Sequence, residues 1–329
     1  GGGADDIYLR QERMIFVSLK VNILILNYNG EDLLKAYLPS FQRAVERSSF
    51  SCRLGVIDNQ SRDNSVSYLK NNFPDVDIYL SKENKVLCSY NPVAAGLTDD
   101  ILIFMNNDIL VDEYFIDPLV APFTEENDVF FVTPRCLSVD RKAYEGNKTR
   151  GRIRYGIFWS SALYKGHEKE IKKPGLTFAG GFGAFHRKKF LELGGYDDLY
   201  LPGRLEDTDI CFRAYKRGWK SLYEPKSIVT HKGGVSFHKT FGVKKTLVIN
   251  WRNTFLFMAK NLSDAGLIFE VIVFLPLRLL HSLLSFKPEL FLGFMNSLPL
   301  MPAALRRRKQ LKTEGFFKAV PDRKIFNEV

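Results

Sequence analysis

The sequence predicts an α/β protein, a mixed sheet with helices on both faces, followed by an apolar helical extension. Three observations carry that prediction. Short apolar runs ending in polar turns alternate with helical patterns through the first half, as in parallel βαβ units. The composition is globular, with 329 residues, 45% of them hydrophobic and 26% charged. The C-terminal stretch joins the densest apolar run of the chain to a basic cluster. Together these exclude a disordered tail, a collagen-like rod and a small disulfide-stapled module.

Residues 1–18 open with Gly1-Gly2-Gly3-Ala4 and read as a tag or N-terminal lead-in, without the basic and apolar regions of a signal peptide. Val21 to Leu26 is a buried strand ending in the turn Asn27-Tyr28-Asn29-Gly30. Leu33, Leu34, Tyr37, Leu38, Phe41 and Val45 then recur with helical spacing. A second strand, Arg53 to Asp58, ends in Asn59-Gln60-Ser61-Arg62-Asp63-Asn64, and a short helix reaches about Asn72. Val76 to Leu80 is a third strand, and Ile101 to Met105 a fourth that stops at Asn106-Asn107-Asp108. In such sheets ligands bind beyond the carboxyl ends of the strands. All three polar clusters sit at such ends.

The second half is glycine-dense from Phe178 to Phe185. A short helix opens at His186 to Lys189 and closes at Gly194-Gly195-Tyr196-Asp197. Another begins at Leu205-Glu206-Asp207-Thr208-Asp209 and reaches a C-cap at Gly218. Ser227 to His231 is a strand ending in histidine. Cys52, Cys88, Cys136 and Cys211 stand far apart, without metal or redox spacing, and read as buried apolar residues in a reducing compartment.

The formal net charge is +10. Ten Lys or Arg against three Glu fall between Arg141 and Gly175, and ten against five acids between Leu267 and Val329. A basic balance suits nucleic acid, anionic lipid or a phosphorylated substrate. No nucleic-acid motif is present, so a nucleic-acid partner is not expected.

Four constellations have chemical potential. Asp58, closing a strand, is able to accept hydrogen bonds from a nucleobase or ribose, braced by Asp63; the same residues equally make an Asx-turn and helix cap. Asp108 is placed to hold a divalent cation bridging a diphosphate, or to cap a turn. Glu206, Asp207 and Asp209 complement a helix dipole, and one of them is a candidate general base. His231 is a strand-end imidazole.

Read together, these motifs resemble the inverting GT-A-fold glycosyltransferases of the bacterial family two type, rhamnosyltransferase-like subgroup, over about Val21 to Ser236. The resemblance implies a GT-A catalytic domain over 19–240, and the apolar and basic pattern beyond it reads as a C-terminal amphipathic helical region over 241–329. It implies donor binding by Asn27, Asn29, Asp58, Asp63, Asn84, Asn106, Asn107 and Arg252. Asp108 and His231 become ligands of a divalent cation, Mg²⁺ or Mn²⁺. Asp207 becomes the general base beside Glu206, with Gly180, Gly181 and Asp209 on the acceptor side. Two departures stand out. Asn106 replaces the first carboxylate of the D-x-D element, and Lys85 to Pro92 replaces a glycine-rich helix start.

The implied activity moves a sugar from a UDP- or dTDP-linked donor to a hydroxyl of a lipid-linked or cell-surface glycan, with inversion. A non-catalytic or decayed nucleotide-sugar-binding protein docked at the membrane is the alternative. A sugar nucleotidylyltransferase fits less well, because Asn27-Tyr28-Asn29-Gly30 is not its glycine-rich loop. Between Leu267 and Leu305 only Glu270, Arg278, Lys287 and Glu289 are charged. The longest uncharged run, Leu290 to Leu305, carries Pro299 and Pro302 and is short of the roughly 20 residues of a span. Interfacial helices on an anionic membrane surface are therefore expected, beside Arg306-Arg307-Arg308-Lys309. The expected location is cytoplasmic, peripheral on the inner face of the cytoplasmic membrane. A homo-oligomer is left open.

Overall fold

A computed structural model describes residues 19–231, 241–316 and 320–329. The N-terminal lead-in, the domain boundary at 240 and the limit of the resemblance near Ser236 lie outside the described residues.

The chain runs β1 (Lys20–Asn27), α1 (Glu31–Arg47), β2 (Ser51–Asp58), α2 (Ser65–Asn72) and β3 (Asp77–Leu80). A 3₁₀ turn (Val86–Ser89) leads to α3 (Tyr90–Gly96), β4 (Ile101–Asn106), β5 (Ile109–Val111), α4 (Ile116–Val120) and α5 (Pro122–Glu125). There follow β6 (Val129–Ser138), β7 (Tyr144–Gly146), β8 (Arg150–Arg154), β9 (Ile157–Ser161) and α6 (His167–Glu170). Next come β10 (Gly175–Leu176), β11 (Gly183–His186), α7 (Arg187–Glu192), α8 (Glu206–Lys216) and β12 (Lys220–His231). The C-terminal helices are α9 (Val243–Asn261), α10 (Ala265–Leu284), α11 (Glu289–Ser297), α12 (Met301–Thr313) and α13 (Asp322–Glu328).

The main sheet has the order β10-β12-β6-β11-β4-β1-β2-β3, with β5 on β12 and β7 on β6. It is parallel from β4 through β1 and β2 to β3, while β11 runs antiparallel between β4 and β6. Strand alternation divides the apolar residues between two cores. Val21, Ile23 and Ile25 of β1 join Leu34, Leu38 and Phe41 of α1 on one face. Leu24 and Phe104 join Tyr90, Phe185 and Tyr196 on the other.

The second core also takes in the C-terminal region. Phe257 of α9 lies 4.5 Å from Phe158 and 5.4 Å from Phe212, ring to ring, and Phe326 of α13 lies 5.5 Å from Phe212. The C-terminal half of α9 is thus buried against β9 and α8. The polar side of α10 faces the protein as well. Glu270 accepts the Gly156 N–H at 3.0 Å, Arg278 donates to the Tyr155 carbonyl at 3.4 Å, and Ser282 is buried. Its apolar residues Phe269, Ile272, Leu277, Leu280 and Leu284 are exposed. With 20 residues and a mean hydropathy of 2.0, α10 is long and apolar enough to cross a membrane. The uncharged run Leu290 to Leu305 falls short of a span, whereas α10 reaches that length with Glu270 and Arg278 engaged by the β8–β9 hairpin.

Candidate functional site

The carboxyl ends of β1, β2 and β4 lie side by side. In register, Asn27 pairs with Asp58, and Leu26 pairs with both Ile57 and Asn106. Their polar turns therefore meet. Asn27 Nδ2 donates to Asp58 Oδ1 at 3.3 Å and to Ser61 Oγ at 3.2 Å, and Asn107 Nδ2 donates to Asn27 Oδ1 at 2.7 Å. Asn29, at φ +47°, accepts the Arg62 N–H, and Asp63 accepts the N–H groups of Glu31 and Ser65. Gly30 permits this crowding, because a Cβ there would stand 2.1 Å from Asn107 Nδ2. The five predicted donor residues Asn27, Asn29, Asp58, Asp63 and Asn107 form one hydrogen-bonded rim.

A cavity of about 560 Å³ adjoins the rim through the Asn106-Asn107-Asp108 turn. It is lined by Asn106, Asp108 and His231 on one side and by Glu206 and Asp207 at the start of α8 on the other. Val86 and Leu87, Ser160 and Ser161, Arg204 and Asn250 are among the other lining residues. Gly180 and Gly181, expected on the acceptor side, are not among the lining residues and pack against the start of α8: a Cβ on Gly180 would lie 2.6 Å from the Asp207 carbonyl, and one on Gly181 3.7 Å from Asp207 Oδ2. A larger cleft of about 1110 Å³, between β3, α3 and α12, contains none of Asp108, Glu206, Asp207 or His231.

His231 Nε2 is 3.2 Å from Asp108 Oδ2, and its Nδ1 is 3.2 Å from Glu145 Oε2. The hydrogen bond to Asp108 holds the imidazole above its ordinary pKa, against the opposing effect of burial, and Glu145 adds to the rise. Asp108 Oδ1 is buried without a hydrogen-bond partner among the described residues. A buried carboxylate oxygen of this kind, beside an imidazole nitrogen, suits a cation with mixed oxygen and nitrogen ligands.

At the other wall, burial pushes the Asp207 carboxyl up from the ordinary carboxylate range. Burial first and the Asp207 charge second push Glu206 up, and Glu206 Oε2 lacks a hydrogen-bond partner among the described residues. The helix N-terminus was expected to favour ionisation of these acids; desolvation outweighs it here. Arg204, at φ +77°, sits beside the pair and works against the rise.

Three further predicted residues lie elsewhere. Asp209 was expected on the acceptor side but is fully buried, ion-paired with Arg213 at 2.7 Å and Lys260 at 2.9 Å and bonded to Tyr200 and Asn261. Two residues along the helix, about 200° of rotation from Asp207, place it on the opposite side of α8 from the cavity. Arg252 was expected at the diphosphate, yet it donates to the carbonyls of Tyr200 and Leu201 and so holds the loop before Arg204. Asn84 accepts from Asn59 and from the Val86 N–H, supporting the 3₁₀ turn that walls the cavity.

Sequence reasoning missed Arg204 and Glu145. Arg204 precedes Leu205-Glu206-Asp207 directly, so proximity to the acidic triplet was its signal. Glu145 had none: it reaches His231 only because β7 and β12 both flank β6.

The family model for glycosyl transferase family 2 matches residues 22–194. Over 153 residues the chain is 29% identical to N-acetylgalactosaminyltransferase 7 of Drosophila melanogaster, covering 42% of this chain and 25% of that one. Over 265 residues it is 22% identical to the N-acetylglucosaminyl-diphospho-decaprenol L-rhamnosyltransferase of Mycobacterium tuberculosis, covering 72% and 83%. The crystal structure of GalNAc-T7 with UDP, GalNAc and Mn²⁺ superposes with a TM-score of 0.56 at 20% identity, covering 74% of this chain and 51% of that one. The chain spans about a quarter to a third of the length of the N-acetylgalactosaminyltransferases it matches.

Proposed function

The chain belongs to glycosyl transferase family 2 and has the GT-A fold, and from that premise we propose that it transfers a sugar from a nucleotide-diphospho-sugar, UDP- or dTDP-linked, to a hydroxyl of a lipid-linked or cell-surface glycan. The transfer is a single displacement with inversion. One observation carries the reading: Asp207 and the Asp108–His231 pair face each other across a single cavity that opens from the polar rim.

The rim residues Asn27, Asn29, Asp58, Asp63 and Asn107 are preorganised to receive base and ribose. Asp58 already accepts from Asn27 and the Ser61 N–H, which fixes its carboxylate before any ligand arrives. Asn106 faces the cavity where a carboxylate is usual, so the site there carries one negative charge less. Asp108 and His231 Nε2 would hold a divalent cation, Mg²⁺ or Mn²⁺. When bound, that ion offsets the charge gathering on the departing nucleoside diphosphate. Arg204 adds a fixed positive charge on the same cavity.

Asp207 takes the proton from the acceptor hydroxyl as it attacks the anomeric carbon. Burial raises its proton affinity toward that of a useful base, and its side chain lines the cavity in which an acceptor hydroxyl would stand. Glu206, pushed further into its neutral form, leaves Asp207 as the ionised partner of the pair. We place the protein on the cytoplasmic membrane's inner face, with the exposed apolar side of α10 toward the lipid.

Asp207→Asn is expected to lower turnover by about 10²–10⁴-fold. UDP or dTDP should still raise its melting temperature in Mn²⁺ as in the parent protein. Retention of normal turnover would remove Asp207 as the base. Absence of any nucleoside-diphosphate shift in the parent would remove the transferase reading altogether.

A further inference from the structure

The hairpin β8–β9 joins two places that the proposed reading treats separately. At its open end Thr149, Ser160, Ser161 and Ala162 line the cavity that holds Asp207. At its turn, Tyr155 and Gly156 dock on α10 through Glu270 and Arg278, and the Tyr155 ring lies 5.6 Å from that of Phe274. The contact is close enough to require glycine: Gly156 has φ +71°, and a Cβ would meet the Glu270 carbonyl at 2.9 Å.

Between these ends strand alternation puts Arg150, Arg152 and Arg154 on one exposed face. Gly151 and Ile153 turn the other way, toward Phe158 and Phe178. Arg150 pairs across the hairpin with Ser161 of the cavity wall, and Arg152 with the exposed Trp159. At about 3.3 Å per residue the row spans roughly 13 Å from cavity to α10. Arg150 is partly engaged, 3.7 Å from Glu170 and stacked on Tyr164. Arg152 and Arg154 enter no ion pair among the described residues. Arg154 and Arg278 both lie over the Tyr155 ring, at 5.0 and 5.5 Å, so positive charge gathers where the row reaches the apolar helix.

A hydroxyl-accepting cavity, a row of guanidinium groups and an exposed apolar helix thus follow one another along a single element. A glycan on a phosphate-bearing lipid has its parts in the same order: sugar, anion, hydrocarbon. Resting on the transfer reading above, we propose that β8–β9 is the binding track for the phosphate or diphosphate of a lipid-linked acceptor, with Arg152 and Arg154 as its ligands. Planar guanidinium forks match phosphate oxygens in pairs, which ammonium groups do not. The rigid strand pair holds the row in place, so binding orders little more than the side chains. The anion on the row sets how far the sugar reaches toward Asp207, and the hydrocarbon lies on the exposed side of α10.

The test uses flotation of the full chain with phosphatidylcholine vesicles carrying polyprenyl diphosphate, polyprenol or phosphatidylglycerol. The parent protein is expected to bind the polyprenyl diphosphate vesicles about tenfold more tightly than the polyprenol vesicles. Arg152→Gln with Arg154→Gln should abolish that preference while leaving the melting temperature and the nucleoside-diphosphate shift unchanged. The proposal is overturned if the double variant keeps the preference, or if the parent shows none. It is also overturned if phosphatidylglycerol vesicles bind as tightly and lose as much in the variant, because the row then reads surface charge. A parent that prefers the polyprenyl diphosphate yet shows no nucleoside-diphosphate shift keeps the track and loses the transfer reading.

Discussion

Glu206 and Asp207 are neighbours in sequence with different surroundings. Glu206 is buried with one oxygen lacking a partner among the described residues, whereas Asp207 is half-buried and accepts from the Thr208 N–H. The raised Glu206 pKa makes a stability prediction whose sign follows from linkage. The folded state holds this proton more tightly than the unfolded state, so the stabilisation is complete below the ordinary carboxylate pKa and fades as pH rises through the raised value. Urea midpoints should therefore fall on the alkaline side, and Glu206→Gln, which stays neutral, should flatten that fall. A parallel decline in parent and variant would show that Glu206 is ionised throughout. Asp58, Asp108, Asp207 and His231 were legible because each closes a strand or opens a helix with a recognisable neighbourhood. Asp209 belongs to the same motif, yet its place two residues beyond Asp207 on α8 turns it into the protein.

Helix α8 presents Asp207 to the cavity on one side and Asp209 to the core on the other. Asp209 is held by Lys260 of α9 and by Arg213, and Lys260 also reaches Asp197, which pairs with Arg307 of α12 at 2.9 Å. Burial alone would raise the Asp209 pKa; Lys260 and Arg213 outweigh it and hold the carboxyl well below the usual range. Its contribution to stability is thus present above the ordinary carboxylate pKa and is lost as pH falls through the depressed value. Lys260→Met leaves a buried carboxylate with half its compensation and is expected to cost about 3 kcal/mol. Urea denaturation at neutral pH measures the loss, and the variant should also unfold at higher pH on acid titration. A change below about 0.5 kcal/mol would show that the Lys260–Asp209 pair adds nothing to stability. Because α9 holds α8 through Lys260, the C-terminal helical extension shares a core with the sheet domain. Alternation and turn chemistry revealed β1, β2 and β4. The hairpin β8–β9 was read only as a basic zone, since its arginine spacing has meaning only once Gly151 and Ile153 are seen to face the core.

Across the protein, the polar rim adjoins the cavity, and the hairpin β8–β9 connects the cavity wall to α10. In an ordinary surface helix the polar face meets solvent. In α10 the polar side is turned onto the protein and the leucine-rich side is left bare, an arrangement that suits hydrocarbon. Ile272→Asp with Leu277→Asp, both at exposed positions, should abolish co-sedimentation with phosphatidylglycerol vesicles and leave the urea midpoint within about 0.5 kcal/mol of the parent. Unchanged sedimentation would remove α10 as the membrane contact.

Local chemistry was enough to reveal the fold class, the strand-end clusters and the motif order, because period-2 burial and turn residues are written in neighbouring positions. The partnership of His231 with Glu145, the loop-holding role of Arg252 and the burial of Asp209 came from packing. Each depends on which distant segments the sheet order brings together, and no spacing along the chain encodes that.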